Sequence, residues 1–275
     1  MKLSIRPIIF VLAILCGLTL FTLSASGEGQ VWDCPECGRT GITGNYCGNC
    51  AHPAPWIEIT PTPTPASTPA PTNGDIITFG KYEQDDDHSN GKEDIKWIVL
   101  EVEDNRMLLI SKYALDAKPY HNTLRQITWA DCDLRAWLNN DFINEAFNES
   151  EQSAIIFGNI DNKKEEGNPQ WKTKGGNDTK DKVFLLSYFE ADRYFADTLS
   201  RRCASTSYSK EGAGLSDEYK TVYNEGSCGW WLRSPGGKQS FAAFVDCAGE
   251  LLYSAGVNDK SGVRPAVWID INQLK

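Results

Sequence analysis

Four cysteines near the N-terminus carry the clearest chemistry in the chain. Cys34 and Cys37 form one Cys-x-x-Cys pair, and Cys47 and Cys50 a second, within WDCPECGRTGITGNYCGNCAHP (residues 32–53). A tetrahedral zinc ion takes four soft ligands, and a Cys-x-x-Cys turn points two thiolates at one ion. Gly38 follows the first pair and Gly48 sits inside the second. Glycine permits the positive φ that turns backbone N–H groups toward the sulfurs. His52 is a spare ligand that a closed four-cysteine set does not need. The rival chemistry is two disulfides, because a segment of about 23 residues has no core of its own and needs a staple. The knuckle glycines favour the metal. A redox Cys-x-x-Cys would open a helix in a βαβ setting, which the flanking sequence lacks.

The other chemistry-bearing residues lie far along the chain. Cys132, Cys203, Cys228 and Cys247 allow three full pairings, and spacing selects none; free buried thiols are the alternative. His88 and His121 are the histidines available to this region as bases. EQDDDHSNG (83–91) fails as a calcium loop, since counting from Asp86 puts Trp97 where the twelfth-position Glu belongs. GNPQW (167–171) holds a Pro-flanked amide but lacks an Asn-Asp partner on a late strand.

The elements that must position these groups fall into four blocks. Residues 1–26 read as a secretory signal: Lys2 and Arg6, an uncharged run from Ile8 to Leu23, then small residues before Gly27. The run is shorter than the roughly 20 apolar residues a spanning helix needs, so any membrane contact would come only from this segment left uncleaved. Residues 31–53 are the knuckle module. Residues 54–74 are a linker whose TPTPTPASTPAPT favours polyproline II and would reach roughly 40 Å. Residues 75–275 hold seven of the nine tryptophans and form the main domain.

Within that domain IKWIVLEVEDNRMLLISKY reads as a hairpin turning at EDN. WADCDLRAWLNNDFINEAF is the best helix, with NND marking a stop and restart. SEQSAII is a short helix capped by Ser150, and residues 159–182 form a long polar loop. KVFLLS is a buried strand and YFEADRYFAD a helix. GWWLRS, FAAFVD, LLYSAG and VRPAVWIDI are short strands split by glycine. The expected class is α+β with an antiparallel C-terminal sheet. Trp231 and Trp268 are expected in the core, and Arg233 and Arg264 are expected to pair with carboxylates or carbonyls.

ITFGKYEQ, IKWIVLEVEDNRMLLISKYALDAKPYH, ITWADCDLRAWLNNDFINEAF, FLLSYFEA, CGWWLRSPG and SGVRPAVWIDI run in order over nearly all of 75–275. In these the domain resembles a bacterial family of unknown function with a C-type-lectin-like fold. That fold is shared with formylglycine-generating enzymes and with the variable proteins of diversity-generating retroelements. CPECG and CGNC resemble the short zinc-ribbon modules that open many bacterial chains. The resemblance implies variable loops on a rigid C-terminal sheet, and binding residues belong on such loops. It makes Lys238, Gln239, Tyr253, Asn258 and Asp259 the contact candidates, in loops 235–240 and 253–262.

The expectation is a secreted or cell-surface, non-catalytic recognition protein for a protein or glycan ligand, with structural zinc. A formal charge of −10, two units more negative after loss of the signal, argues against nucleic acid. Two other classes stay open. An oxidase like the formylglycine-generating enzymes, dependent on copper or thiol, would need an exposed cysteine pair in a cleft. A structural envelope spacer would have neither pocket nor aromatic patch.

Overall fold

The computed structural model describes residues 30–43, 46–47, 50, 54–55, 70–163, 170–215 and 226–274. The signal, Gly48, His52 and most of the proline-rich linker lie outside the described residues. The chain divides into two compact units, Met1–Thr68 and Pro69–Lys275.

In the first unit Trp32 and Ile42 exchange two backbone hydrogen bonds of 2.9 Å. They close the loop that presents the first knuckle. Cys34 N–H donates to Arg39 O at 2.8 Å and Gly38 N–H to Cys34 O at 3.0 Å. Gly38 has φ +70°, a conformation that would strain a side-chain-bearing residue.

The second unit is mixed α+β. Its strands are β1 (Ile76–Tyr82), β2 (Glu93–Glu103), β3 (Arg106–Ser111), β4 (Asp116–Pro119), β5 (Ile155–Ile156), β6 (Gly158–Ile160), β7 (Thr179–Asp181), β8 (Val183–Phe184), β9 (Cys203–Ala204), β10 (Ser227–Cys228), β11 (Trp230–Pro235), β12 (Phe241–Val245), β13 (Leu251–Gly256), β14 (Lys260–Val263) and β15 (Ala266–Asp270). One sheet runs β1-β2-β3-β15, with β5 and β8 sharing the far edge of β15. The other runs β13-β12-β11-β14-β4. β9 pairs with β10, and β6 with β7. The expected hairpin is β2–β3, turning at Asp104 and Asn105 with Asp104 at φ 48°, which Asp tolerates better than most residues. A bulge after Val99 places Val99 and Leu100 both in the core.

The C-terminal sheet is not wholly antiparallel, because β11 and β14 run parallel, Trp230 opposite Gly262. The helix does not stop at Asn139-Asn140-Asp141. It passes from Asp133–Trp137 through a wider π turn, Leu138–Phe142, into Ile143–Ala146. The asparagines that suggested a break serve the widened turn instead, supplying amides to carbonyls that it displaces. Asn140 Nδ2 donates to Ala136 O and Asn144 Nδ2 to Asn140 O, each at 2.6 Å. Asn139 clasps the backbone of Lys182 and Val183. The next helix, Glu149–Ala154, is capped by Asn148 rather than Ser150, in a reciprocal box with Glu151. Near the ends of the expected 159–182 loop, β6 pairs with β7; residues 164–169 lie outside the described residues.

Trp97, Trp129, Trp230 and Trp231 are fully buried. Trp268 is not: it stands half-buried on the outer face of β15, under the Arg106 guanidinium at 4.3 Å. No described helix is long and apolar enough to cross a membrane.

Candidate metal centre and ligand surface

The first knuckle, shaped by Gly38, and the second meet so that each sulfur faces one from the other pair. Cys34 Sγ lies 3.5 Å from Cys50 Sγ, and Cys37 Sγ 3.6 Å from Cys47 Sγ. All four sulfurs are within 4.8 Å of one another. A disulfide holds its sulfurs about 2.05 Å apart. Four thiolates on one tetrahedral ion, with bonds of about 2.3 Å, sit about 3.8 Å apart. The spacing is that of a ligand set, and these four cysteines can hold a metal ion. Cys34 and Cys47 are buried with Trp32, Ile42 and Ala54, while Cys37 and Cys50 face solvent. A second acidic group, Glu83, Asp85 and Glu93, also converges. Its oxygens are taken up in shaping the loop: they accept from Asp86, Gln84 and Asp87 N–H groups and from Asn90.

The second candidate surface lies at one end of the β12–β13 hairpin. Phe241 opposite Gly256 and the Val257 N–H bond to Ser240 O set the loop after β11 beside the turn after β13. The long polar loop folds over this end. Thr173 Oγ1 donates to Gly236 O at 2.9 Å, and Lys174 N–H to Gln239 Oε1 at 2.9 Å. The fold of the loop carries Trp171 over Gly237, where a Cβ would sit 3.3 Å from the ring. Trp171 meets Tyr253 edge-on, with centroids 6.3 Å apart. Tyr253 stacks on Tyr188 at 5.3 Å and donates its hydroxyl to the Tyr188 oxygen at 2.9 Å. Burial and that tyrosine pair hold the Tyr253 phenol above its ordinary range, so it stays neutral at working pH. Beside this cluster is a cleft of about 400 Å³ lined by Ile127, Thr128, Asp131, Lys172, Lys174 and Gln239.

A family model described as Domain of unknown function (DUF6273) matches residues 104–271. The chain belongs to this family. Comparison with curated proteins and with solved structures gives no match. The DUF6273 match spans β3 to β15 and takes in the whole aromatic cluster, both loops and the buried Cys203–Cys228 ladder.

Of the contact candidates in this DUF6273 domain, Lys238, Asn258 and Asp259 are exposed and Gln239 and Tyr253 half-buried. Their loops are neighbours, but their side chains are not equally free. Gln239 is a clamp: its amide donates to Ile127 O and Lys174 O while its oxygen accepts from Lys174 N–H. Asp259 closes its own turn by accepting Gly256 N–H at 2.8 Å. Sequence reasoning missed Trp171 and Tyr188. The readable signal was a tryptophan in a polar, glycine-rich loop, where no apolar pattern asks for one.

Proposed function

We propose that this chain is an exported cell-surface recognition protein whose DUF6273 domain has a C-type-lectin-like fold and binds a protein or glycan ligand. Residues 1–26 act as its secretion signal. Zinc in the knuckles is structural, with no open position for substrate. The observation that carries the reading is the solvent-facing Trp171, 43% exposed, set edge-on against Tyr253, which in turn stacks on Tyr188, beside two neighbouring loops. A large ring kept at the surface by its own packing is a feature of binding sites. A structural spacer has no use for it. The oxidase reading needs a cysteine pair open in a cleft, whereas Cys203 and Cys228 are buried. The acidic charge supports a ligand other than nucleic acid.

The test is a glycan and protein array probed with the whole chain and with its Trp171→Ala and Lys238→Ala variants. The expected result is a ligand class bound by the parent chain. Trp171→Ala should weaken that binding at least tenfold, about 1.4 kcal/mol, with the melting temperature kept. Equal binding by both variants and the parent would place recognition elsewhere.

A further inference from the structure

Arg264 is 1% exposed, and its position is chemically unusual. Its Nε donates to Ser111 O at 2.8 Å, and its guanidinium lies 5.1 Å from the centre of the Phe195 ring and 4.9 Å from that of Trp230. Nη1 is buried without a hydrogen-bond partner. No carboxylate pairs with Arg264 among the described residues; the ionisable groups acting on it are the sulfurs of Cys203 and Cys228. Aromatic faces offset part of the cost of a buried cation, but such a charge is normally matched by an anion.

The two sulfurs are placed to supply it. Cys203 on β9 and Cys228 on β10 stand directly opposite in an antiparallel ladder, Cys203 Sγ donates to Ala204 O at 3.4 Å, and each cysteine acts on the titration of the other. Burial pushes the Cys203 thiol up. The neighbouring Cys228 thiol, the Arg264 charge and the Ala114 N–H outweigh that and pull it below the ordinary thiol range. Cys228 goes the other way, raised by its Cys203 neighbour and by burial. Two opposed thiols beside a buried cation with an unpartnered Nη1 are an arrangement that favours the loss of one proton. Gly262 walls one side: a Cβ there would sit 2.7 Å from Gly229 O and 3.4 Å from Cys228 Sγ. Cys228 is 7% exposed and Cys203 1%, so a reagent reaches the pair only on local opening. The ladder is two residue pairs long among the described residues, extended by Ser205 N–H to Gly226 O and flanked by Ala114 N–H to Ala204 O, and opening these bonds would admit a small molecule.

We propose that Cys203 and Cys228 are a reversible dithiol–disulfide site for small disulfides of the glutathione class, with the reduced pair held as a monoanion by Arg264. The one proton left on the pair moves from Cys228 to Cys203, and the Cys228 thiolate attacks one sulfur of the reagent. The reagent's S–S bond breaks, a mixed disulfide forms on Cys228, and one thiolate leaves. Cys203 gives its proton to that thiolate and attacks Cys228 Sγ. The Cys203–Cys228 bond forms, and the second thiolate leaves and takes a proton from water. Two protein thiols are oxidised and one disulfide is reduced to two thiols. Oxidation removes the anion that matches Arg264, so the arginine favours the reduced pair.

The experiment equilibrates the full chain in glutathione buffers of graded redox poise, quenches with an alkylating agent under denaturation, and maps the peptides. A peptide joined through Cys203 and Cys228 should appear in oxidised buffer and vanish in reduced buffer. Cys203→Ser should trap glutathione on Cys228. Arg264→Met should shift the equilibrium toward the disulfide about tenfold or more. Should Arg264→Met fail to fold, the ultraviolet thiolate absorbance of the parent at neutral pH, less that of Cys203→Ser, reports the anion directly. Free thiols at both positions throughout the series, or a bond that reduced glutathione never opens, would overturn the site. A folded Arg264→Met with an unshifted equilibrium, or no difference absorbance, would overturn the role of the arginine.

Discussion

Single side chains in the DUF6273 domain divide by what they touch. Trp231 is buried completely and donates its indole N–H to Lys118 O at 2.8 Å; Trp268 keeps one face for Arg106. Trp231→Ala should therefore cost about 3–5 kcal/mol, and Trp268→Ala only about 1–2 kcal/mol. Urea denaturation of the two variants separates them, and equal losses would contradict the placement. Glu190 makes a second case. It grips Arg233 through both carboxylate oxygens. Burial pushes its carboxyl up, but the Arg233 charge and hydrogen bonds from Arg233 and Ser187 hold it below the ordinary 4.5. A carboxyl depressed by folding stabilises the fold fully above its unfolded value and loses that contribution as pH falls through the lower folded value. Stability measured from roughly pH 5 to pH 3 should fall more steeply in the parent than in Glu190→Gln. Parallel curves would remove Glu190 from the acid limb. At this scale the sequence already asked for a partner to Arg233, since a half-buried guanidinium demands one. It held no sign that Arg264 would find no carboxylate.

Among elements, the knuckle pair has the smallest core of its own, so a bound metal would matter most there. Trp32 is 5% exposed in a cluster of five described residues, two of them cysteines of the candidate ligand set. Binding energy in such a small site is folding energy. Metal analysis of the purified chain should find one zinc, with Cys34, Cys37, Cys47 and Cys50 counted as thiols after denaturation. A strong chelator should then expose Trp32, read as the fluorescence change lost in Trp32→Phe. Two disulfides and no zinc would refute the assignment. The spacing of the four cysteines was legible because a tetrahedral site, where one is formed, asks for it locally. The course of the helix Asp133–Ala146 was not: the asparagines that break a helix in isolation bond here to its own carbonyls and to Val183, which lies over 40 residues away in sequence.

At the scale of the whole molecule, the unit Pro69–Lys275 contains one large aromatic-rich core and both sheets. A fragment of residues 69–275 should melt cooperatively near the midpoint of the longer chain; a broad or absent transition would show dependence on the knuckles. What the sequence determined by itself was local. It set the ligand-type spacing of the cysteines, the β2–β3 hairpin with its Asp-Asn turn, the helices starting at Asp133 and at Tyr188 (Tyr188–Tyr194), and the short C-terminal strands, because each follows from neighbours within a few turns of chain. Only the tertiary structure decided which distant residues share a place. It set Trp171 on Tyr253, turned Gln239 from a ligand contact into a clamp, ran β14 parallel to β11, and brought Cys203, Cys228 and Arg264 together. Those outcomes depend on strand pairing and burial between segments far apart in sequence, and periodicity within one segment carries no information about them.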